Sequence, residues 1–132
     1  ILPIKMEEKI MNKEYCLDYL KKLLKTLSCN SSTQKQMVPK EIMWNIPSDI
    51  ANEWDYEDIK FFVQYLVDSN LISINIEEEF QAICNNFEKV SLNGTQFDQT
   101  IWTTEGFEHH PFWEHQRILA KHLLNELDKI QL

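Results

Sequence analysis

Glycine and proline are scarce, with 2 Gly and 4 Pro in 132 residues. Collagen-like chains, Gly-rich linkers and turn-dense β-sandwiches all draw on one or both, so the scarcity excludes the first two and favours helix over the third. No apolar run approaches the roughly 18 residues of a membrane-spanning helix. Cysteine is limited to Cys16, Cys29 and Cys84, an odd, widely spaced set without C-x-x-C. That argues against an oxidised secreted framework and for a cytoplasmic location; Cys16, in an amphipathic stretch, reads as core filler rather than nucleophile. Ile1–Lys5 has no signal-peptide layout, because Glu7 and Glu8 follow directly. The first residue is not Met, and Met6 or Met11 stays open as a start. Asn30-Ser31-Ser32 and Asn93-Gly94-Thr95 match the glycosylation pattern, which means nothing without secretion.

What is present is ordinary for a globular chain: 43% hydrophobic and 26% charged residues, which excludes a disordered acidic tail. The length predicts a single domain over residues 1–132. The net charge of −8 is unevenly placed: residues 1–40 hold 8 Lys against 4 acids, and residues 41–132 hold 5 basic against 17 acidic side chains. The acidic part repels a phosphate backbone and attracts a basic partner. Plain solubility is the competing explanation.

Apolar periodicity predicts a helix over 7–27, with Leu17, Leu20, Leu24 and Leu27 on one face and its charges opposing the macrodipole. Residues 28–34, small and polar, read as a loop. Pro39 opens a short helix over Lys40–Trp44, and Pro47 a second one reaching Trp54. Asp55 is an N-cap for a helix over 56–69, with Ile59, Phe62, Val63 and Leu66 on one stripe. Ile72, Ile74 and Ile76 alternate with polar residues, the period of a strand, and Lys89-Val90-Ser91-Leu92 is a second candidate. The two would pair as a hairpin with residues 77–88 as a long tip; a short helix or solvated turn after Glu77 is the alternative. Residues 95–102 are candidate helix, 103–110 a loop, and Pro111 opens a long last helix with Leu119, Leu123, Leu127 and Ile130 on one face. The expected fold class is therefore mostly α with a small β-hairpin.

This order of elements is the layout of a winged-helix domain. Tyr65-Leu66-Val67-Asp68-Ser69-Asn70-Leu71-Ile72 resembles the end of that family's third helix running into the first wing strand, with Asn70 in place of the usual Gly; Asn tolerates the left-handed conformation. Ser91-Leu92-Asn93-Gly94-Thr95-Gln96-Phe97 resembles the Thr-x-x-Gly pattern at the exit of the second wing strand. The resemblance covers residues 15–102 and implies a winged-helix-like core with a C-terminal helix over 111–132. A second resemblance rests on Ile46-Pro47-Ser48-Asp49-Ile50-Ala51-Asn52-Glu53-Trp54-Asp55-Tyr56, which is similar to small immunity proteins of bacterial toxin systems.

Winged-helix proteins often insert the third helix into the major groove. Here that helix carries Glu57, Asp58 and Asp68 against Lys60, and the wing carries Glu77, Glu78, Glu79 and Glu88 against Lys89. The chain's single arginine, Arg117, leaves little to read guanine with. Both elements have the wrong sign for nucleic acid, so the resemblance implies a copy used for protein contacts.

Residues 105–115 are the one chemically dense stretch. His115 and His122 are about 10 Å apart along a helix, too far to share zinc easily. His109 and His110 are adjacent, and His110 with Glu114 supplies only two ligands. Whether the His109, His110 and His115 region holds a metal stays open; neither a metal site nor a cofactor is expected. No phosphate loop, nucleophile elbow or H-E-x-x-H is present, so no enzymatic activity is expected. Trp102, Phe107, Phe112 and Trp113, interleaved with Glu105, Glu108 and Glu114, have the composition of an interface hot spot and equally of a small core.

The sequence thus predicts a non-enzymatic, acidic, protein-binding or regulatory module, as a defence-associated adaptor would be. The contact residues are Glu57, Asp58, Glu77, Glu78, Glu79, Trp102, Phe107, Glu108, Phe112 and Trp113. The partner is another protein with a basic surface, with a homodimer through the last helix as a further expectation. The alternatives are a DNA-binding transcriptional regulator and an immunity protein that neutralises a toxin.

Overall fold

Four long helices form a ring around one apolar core in a computed structural model that describes residues 12–37 and 45–132. Helix α1, Lys13–Ser28, starts at Asn12, whose side chain accepts from the Tyr15 N–H at 2.7 Å. It buries Cys16, Leu17, Leu20, Leu23, Leu24 and Leu27, one stripe at helical spacing. A one-turn step leads to α2, Ser31–Met37, and α3, Ile46–Asn52, follows with Pro47 in its first turn. Helix α4, Tyr56–Asp68, is capped by Asp55 and buries Ile59, Val63 and Leu66.

α4 ends in a Schellman turn. Asn70 takes φ 62°, the Leu71 N–H reaches the Leu66 carbonyl at 3.0 Å, and the Asn70 N–H reaches that of Val67 at 3.0 Å. The turn delivers the chain to Ser73, which caps α5, Ile74–Val90. A 3₁₀ turn, Gln99–Trp102, and the short α6, Thr104–His109, precede α7, Pro111–Asp128.

α1 packs most extensively on α7 and next on α4, while α5 packs on both α4 and α7. Lys21 pairs with Asp128 at 3.5 Å, while Gln34, just past the end of α1, meets Arg117 near the start of α7, so α1 and α7 are antiparallel. Asn86 and Ile83 meet Gln116, and Glu79 meets His122, so α5 and α7 are antiparallel too. The short connection sets α4 against α5 in the same sense. The result is an up-down-up-down four-helix bundle, with α3, the 3₁₀ turn and α6 in contact with one another beside it.

The expected hairpin is overturned, and with it the fold class of a winged-helix-like core with a small β-hairpin: among the described residues there is no strand. Both candidate strands fall in or beside α5. Ile74 is exposed, whereas Phe80, Ile83, Cys84, Phe87 and Val90 are buried at three- and four-residue steps. That longer period outweighs a three-residue alternation, because it buries one continuous stripe against α4 and α7.

Two expected loops are also short helices. Asn30 accepts from the Thr33 N–H at 2.9 Å and opens α2. Thr103 accepts from the Gly106 N–H at 2.9 Å and opens α6. In each case the small polar residues act as caps rather than loop formers. The expected helix at 40–44, and residues 7–11 of the first expected helix, lie outside the described residues. No helix among the described residues is long and apolar enough to cross a membrane.

Candidate functional site

An open groove of about 1000 Å³ runs between α3, the α3–α4 junction, α5 and the segment that follows α5. Its floor is aromatic. Trp54 and Phe87, both nearly fully buried, line it beside Cys84, and Trp102 forms a wall. Trp102 is held in place by its Nε1–H, which donates to the Val90 carbonyl at 2.9 Å. Tyr56 also lines the groove, and its hydroxyl is buried without a hydrogen-bond partner among the described residues.

The mouth is apolar and exposed. Leu92 is 77% exposed, the most of any large apolar side chain among the described residues, and Phe97 is 42% exposed. They are presented by a tight turn after α5, in which the Gly94 N–H donates to the Ser91 carbonyl at 2.9 Å and the Gln96 N–H to that of Lys89 at 2.8 Å. Only glycine fits at position 94, because a Cβ there would lie 2.2 Å from the Glu88 and Lys89 carbonyl oxygens.

Among the described residues three carboxylates line this groove, those of Asp55, Glu57 and Glu88, and neither Lys nor Arg does. Asp55 faces the end of α3 because it caps α4, accepting from the Glu57 N–H at 3.0 Å. Glu57 then falls in the first turn, where the helix dipole favours an acid. The Cys84 thiol is no nucleophile at neutral pH: burial, with the Asp55 charge adding to it, pushes it up to about 12. Among the described residues no histidine lines the groove, and no three His, Cys, Asp or Glu side chains converge as a metal set. Apolar anchoring and cation attraction are the chemistry that this arrangement offers.

Of the ten contact residues expected from sequence, the groove takes Glu57 and Trp102. Asp58 sits exposed in the first turn of α4, where its charge and that of Glu53 add to burial in raising the Tyr19 hydroxyl. Glu77, Glu78 and Glu79 lie in the first turns of α5, and Glu79 pairs with His122 at 3.5 Å. Glu108 pairs with Lys35, whose ammonium holds its carboxyl below the usual range.

Phe107 and Trp113, expected as contact residues, are fully buried. Their rings pack edge to face at 4.9 Å, and the Trp113 Nε1–H donates to the Ile101 carbonyl at 2.8 Å. Phe112 is half-buried against Phe87 and Trp113. The 102–113 aromatics are thus mainly core; the bundle needs large side chains where α6 and the 3₁₀ turn meet α7. Leu123 and Leu127, which the sequence allowed to serve either the core or a second copy, are buried on the face of α7 that packs on α1.

Sequence reasoning missed Trp54, Phe87, Leu92 and Phe97 as groove residues. They lie in three separate segments, and only the α5 helix brings them together. It also missed a buried polar node. Gln34 donates to the Thr26 and Leu27 carbonyls at 3.0 and 2.9 Å, and accepts from Arg117 Nε and Nη2 at 3.2 and 3.1 Å. Arg117 also donates to the Phe107 carbonyl at 2.7 Å, and its guanidinium lies over the Phe107 ring at 4.9 Å. Burial pulls that guanidinium below its ordinary range.

Comparison with known proteins finds no matching family, no matching curated protein and no matching solved structure.

Proposed function

We propose that this chain is a non-catalytic protein-binding module whose groove takes a cationic, amphipathic segment of another protein. One observation carries the reading: an aromatic floor and an exposed apolar mouth are lined by three carboxylates and, among the described residues, by no Lys or Arg. Apolar side chains of the partner fill the floor between Trp54, Phe87 and Trp102, and its Lys or Arg side chains meet Asp55, Glu57 and Glu88. The volume, about 1000 Å³, stands at the upper end of the ~300–1000 Å³ of small-molecule pockets, which suits a peptide segment. Exposed large apolar side chains beside charge are the composition of contact surfaces. The three thiols are free, Cys16 and Cys84 being buried, which supports a reducing, cytoplasmic setting.

The test uses a labelled helical peptide with Leu and Trp at i, i+3, i+4 and i+7 and Lys on the flanks, titrated into ¹⁵N-labelled protein. The expected shifts concentrate at Trp54, Glu88, Leu92 and Trp102, with binding that weakens as salt rises. A Glu-for-Lys version of the peptide should bind at least about tenfold more weakly. Equal binding of both peptides, competition by spermine at the peptide's own affinity, shifts mapping elsewhere, or preference for duplex DNA each overturns the reading.

A further inference from the structure

We infer that Lys60 is an internal competitor for the groove, occupying Glu57 until a partner with several cations displaces it. This rests on the groove being a site for a cationic segment. Asp55 and Glu88 enter no ion pair among the described residues, whereas Glu57 Oε2 holds Lys60 Nζ at 2.8 Å, one turn further along α4. The Glu57 side chain is 76% exposed and so open to an incoming partner, while Lys60 is 34% exposed and also lies 6.0 Å from the Phe61 ring centroid. The Lys60 ammonium is raised above its ordinary value chiefly by this hydrogen bond and by the charge of Glu57.

A carboxylate has two acceptor oxygens, so an arriving ammonium or guanidinium can reach Oε1 while Lys60 still holds Oε2. Two cations on one carboxylate repel, and Lys60, on a flexible four-carbon stem, is the one free to swing away. The pair therefore works as a filter. A lone amine gains little from Glu57, because Lys60 already neutralises it. A segment that engages Asp55 and Glu88 at the same time is held long enough for its next cation to replace Lys60. Lys60 in this role sets specificity for clustered positive charge.

The experiment measures affinity for the Lys-flanked probe peptide by fluorescence anisotropy in wild type, Lys60→Gln, Lys60→Arg and Lys121→Gln. Removing the competitor and its repulsion should tighten binding about threefold in Lys60→Gln, from screened charge effects at a few ångströms. Lys60→Arg keeps the pair and should stay within about 1.5-fold of wild type. Lys121, on α7 and outside the groove lining, makes the same change in net charge and should also stay within about 1.5-fold. Unchanged or weaker binding in Lys60→Gln overturns the inference while leaving the groove reading intact, as does an equal gain in Lys121→Gln. Absence of binding in both wild type and Lys60→Gln overturns the groove reading and the inference together.

Discussion

Truncating Gln34 should do more harm than removing the charge it holds. Gln34 is fully buried and makes four hydrogen bonds, two to carbonyls at the end of α1 and two from Arg117. Gln34→Ala leaves Arg117 a buried cation with the Phe107 carbonyl as its one remaining acceptor among the described residues. Stranding a buried charge costs about 3–5 kcal/mol, which for a chain of this length lowers Tm by roughly 10–18 °C. Arg117→Met instead removes the cation, keeps an apolar stem against Phe107 and Trp113, and leaves two carbonyl oxygens short of a donor, at about 1–3 kcal/mol.

The double variant should cost less than the sum of the two by about 2 kcal/mol, because the penalty for a stranded charge vanishes once the charge is gone. Urea unfolding followed by tryptophan fluorescence gives all four corners of the cycle. The reasoning fails if Gln34→Ala is milder than Arg117→Met, or if the two losses add within about 0.5 kcal/mol.

Gly106→Ala should destabilise by about 2–4 kcal/mol in a thermal melt, because a Cβ there would lie 1.7 Å from the Thr100 carbonyl oxygen; an unchanged or higher Tm would show that the 3₁₀ turn gives way freely. Asp98 is held below the usual carboxylate range first by hydrogen bonds from Thr100 and then by His110. Its contribution is therefore complete above the unfolded Asp value of about 3.9 and is lost as pH falls through the lower folded value. Asp98→Asn, which keeps an acceptor for the Thr100 N–H, should flatten that acid limb of the stability curve, and a curve parallel to wild type refutes the assignment. Near about pH 8, a thiol reagent should label Cys29 quickly and Cys16 and Cys84 only on unfolding, since burial raises both buried thiols; fast reaction at all three sites in native protein would contradict the packing.

The long amphipathic helices were legible because each carries its own signal: leucines at three- and four-residue steps in α1 and α7, and Asp55 before an acidic first turn in α4. Asn70 is left-handed, the conformation that the winged-helix resemblance called for, but the turn it makes leads into α5 and not into a strand. α5 was misread because its first turn holds Ile74 and Ile76 on either side of Asn75, the period of a strand, and because Glu77-Glu78-Glu79 interrupts the apolar stripe that resumes at Phe80. The caps Asn30 and Thr103 sit in polar tracts that read as loops until their N–H partners are known.

The groove was half legible. Acidity after residue 40 and the exposure of Glu57 follow from the sequence, but which aromatics face outward depends on how four helices close around them. Trp113 and Phe107 went inward, and Leu92 and Phe97 stayed out. Neither outcome is encoded in local composition.

The antiparallel contact between α1 and α7 makes the first described helix depend on the last one. A ribosome making this chain exposes the leucine stripe of α1 well before α7 emerges to cover it, so an apolar face stays open while the intervening helices are synthesised. The bundle cannot close until α7 arrives, which makes the interval between the two helices the time when this domain is most vulnerable to aggregation and has most use for a chaperone.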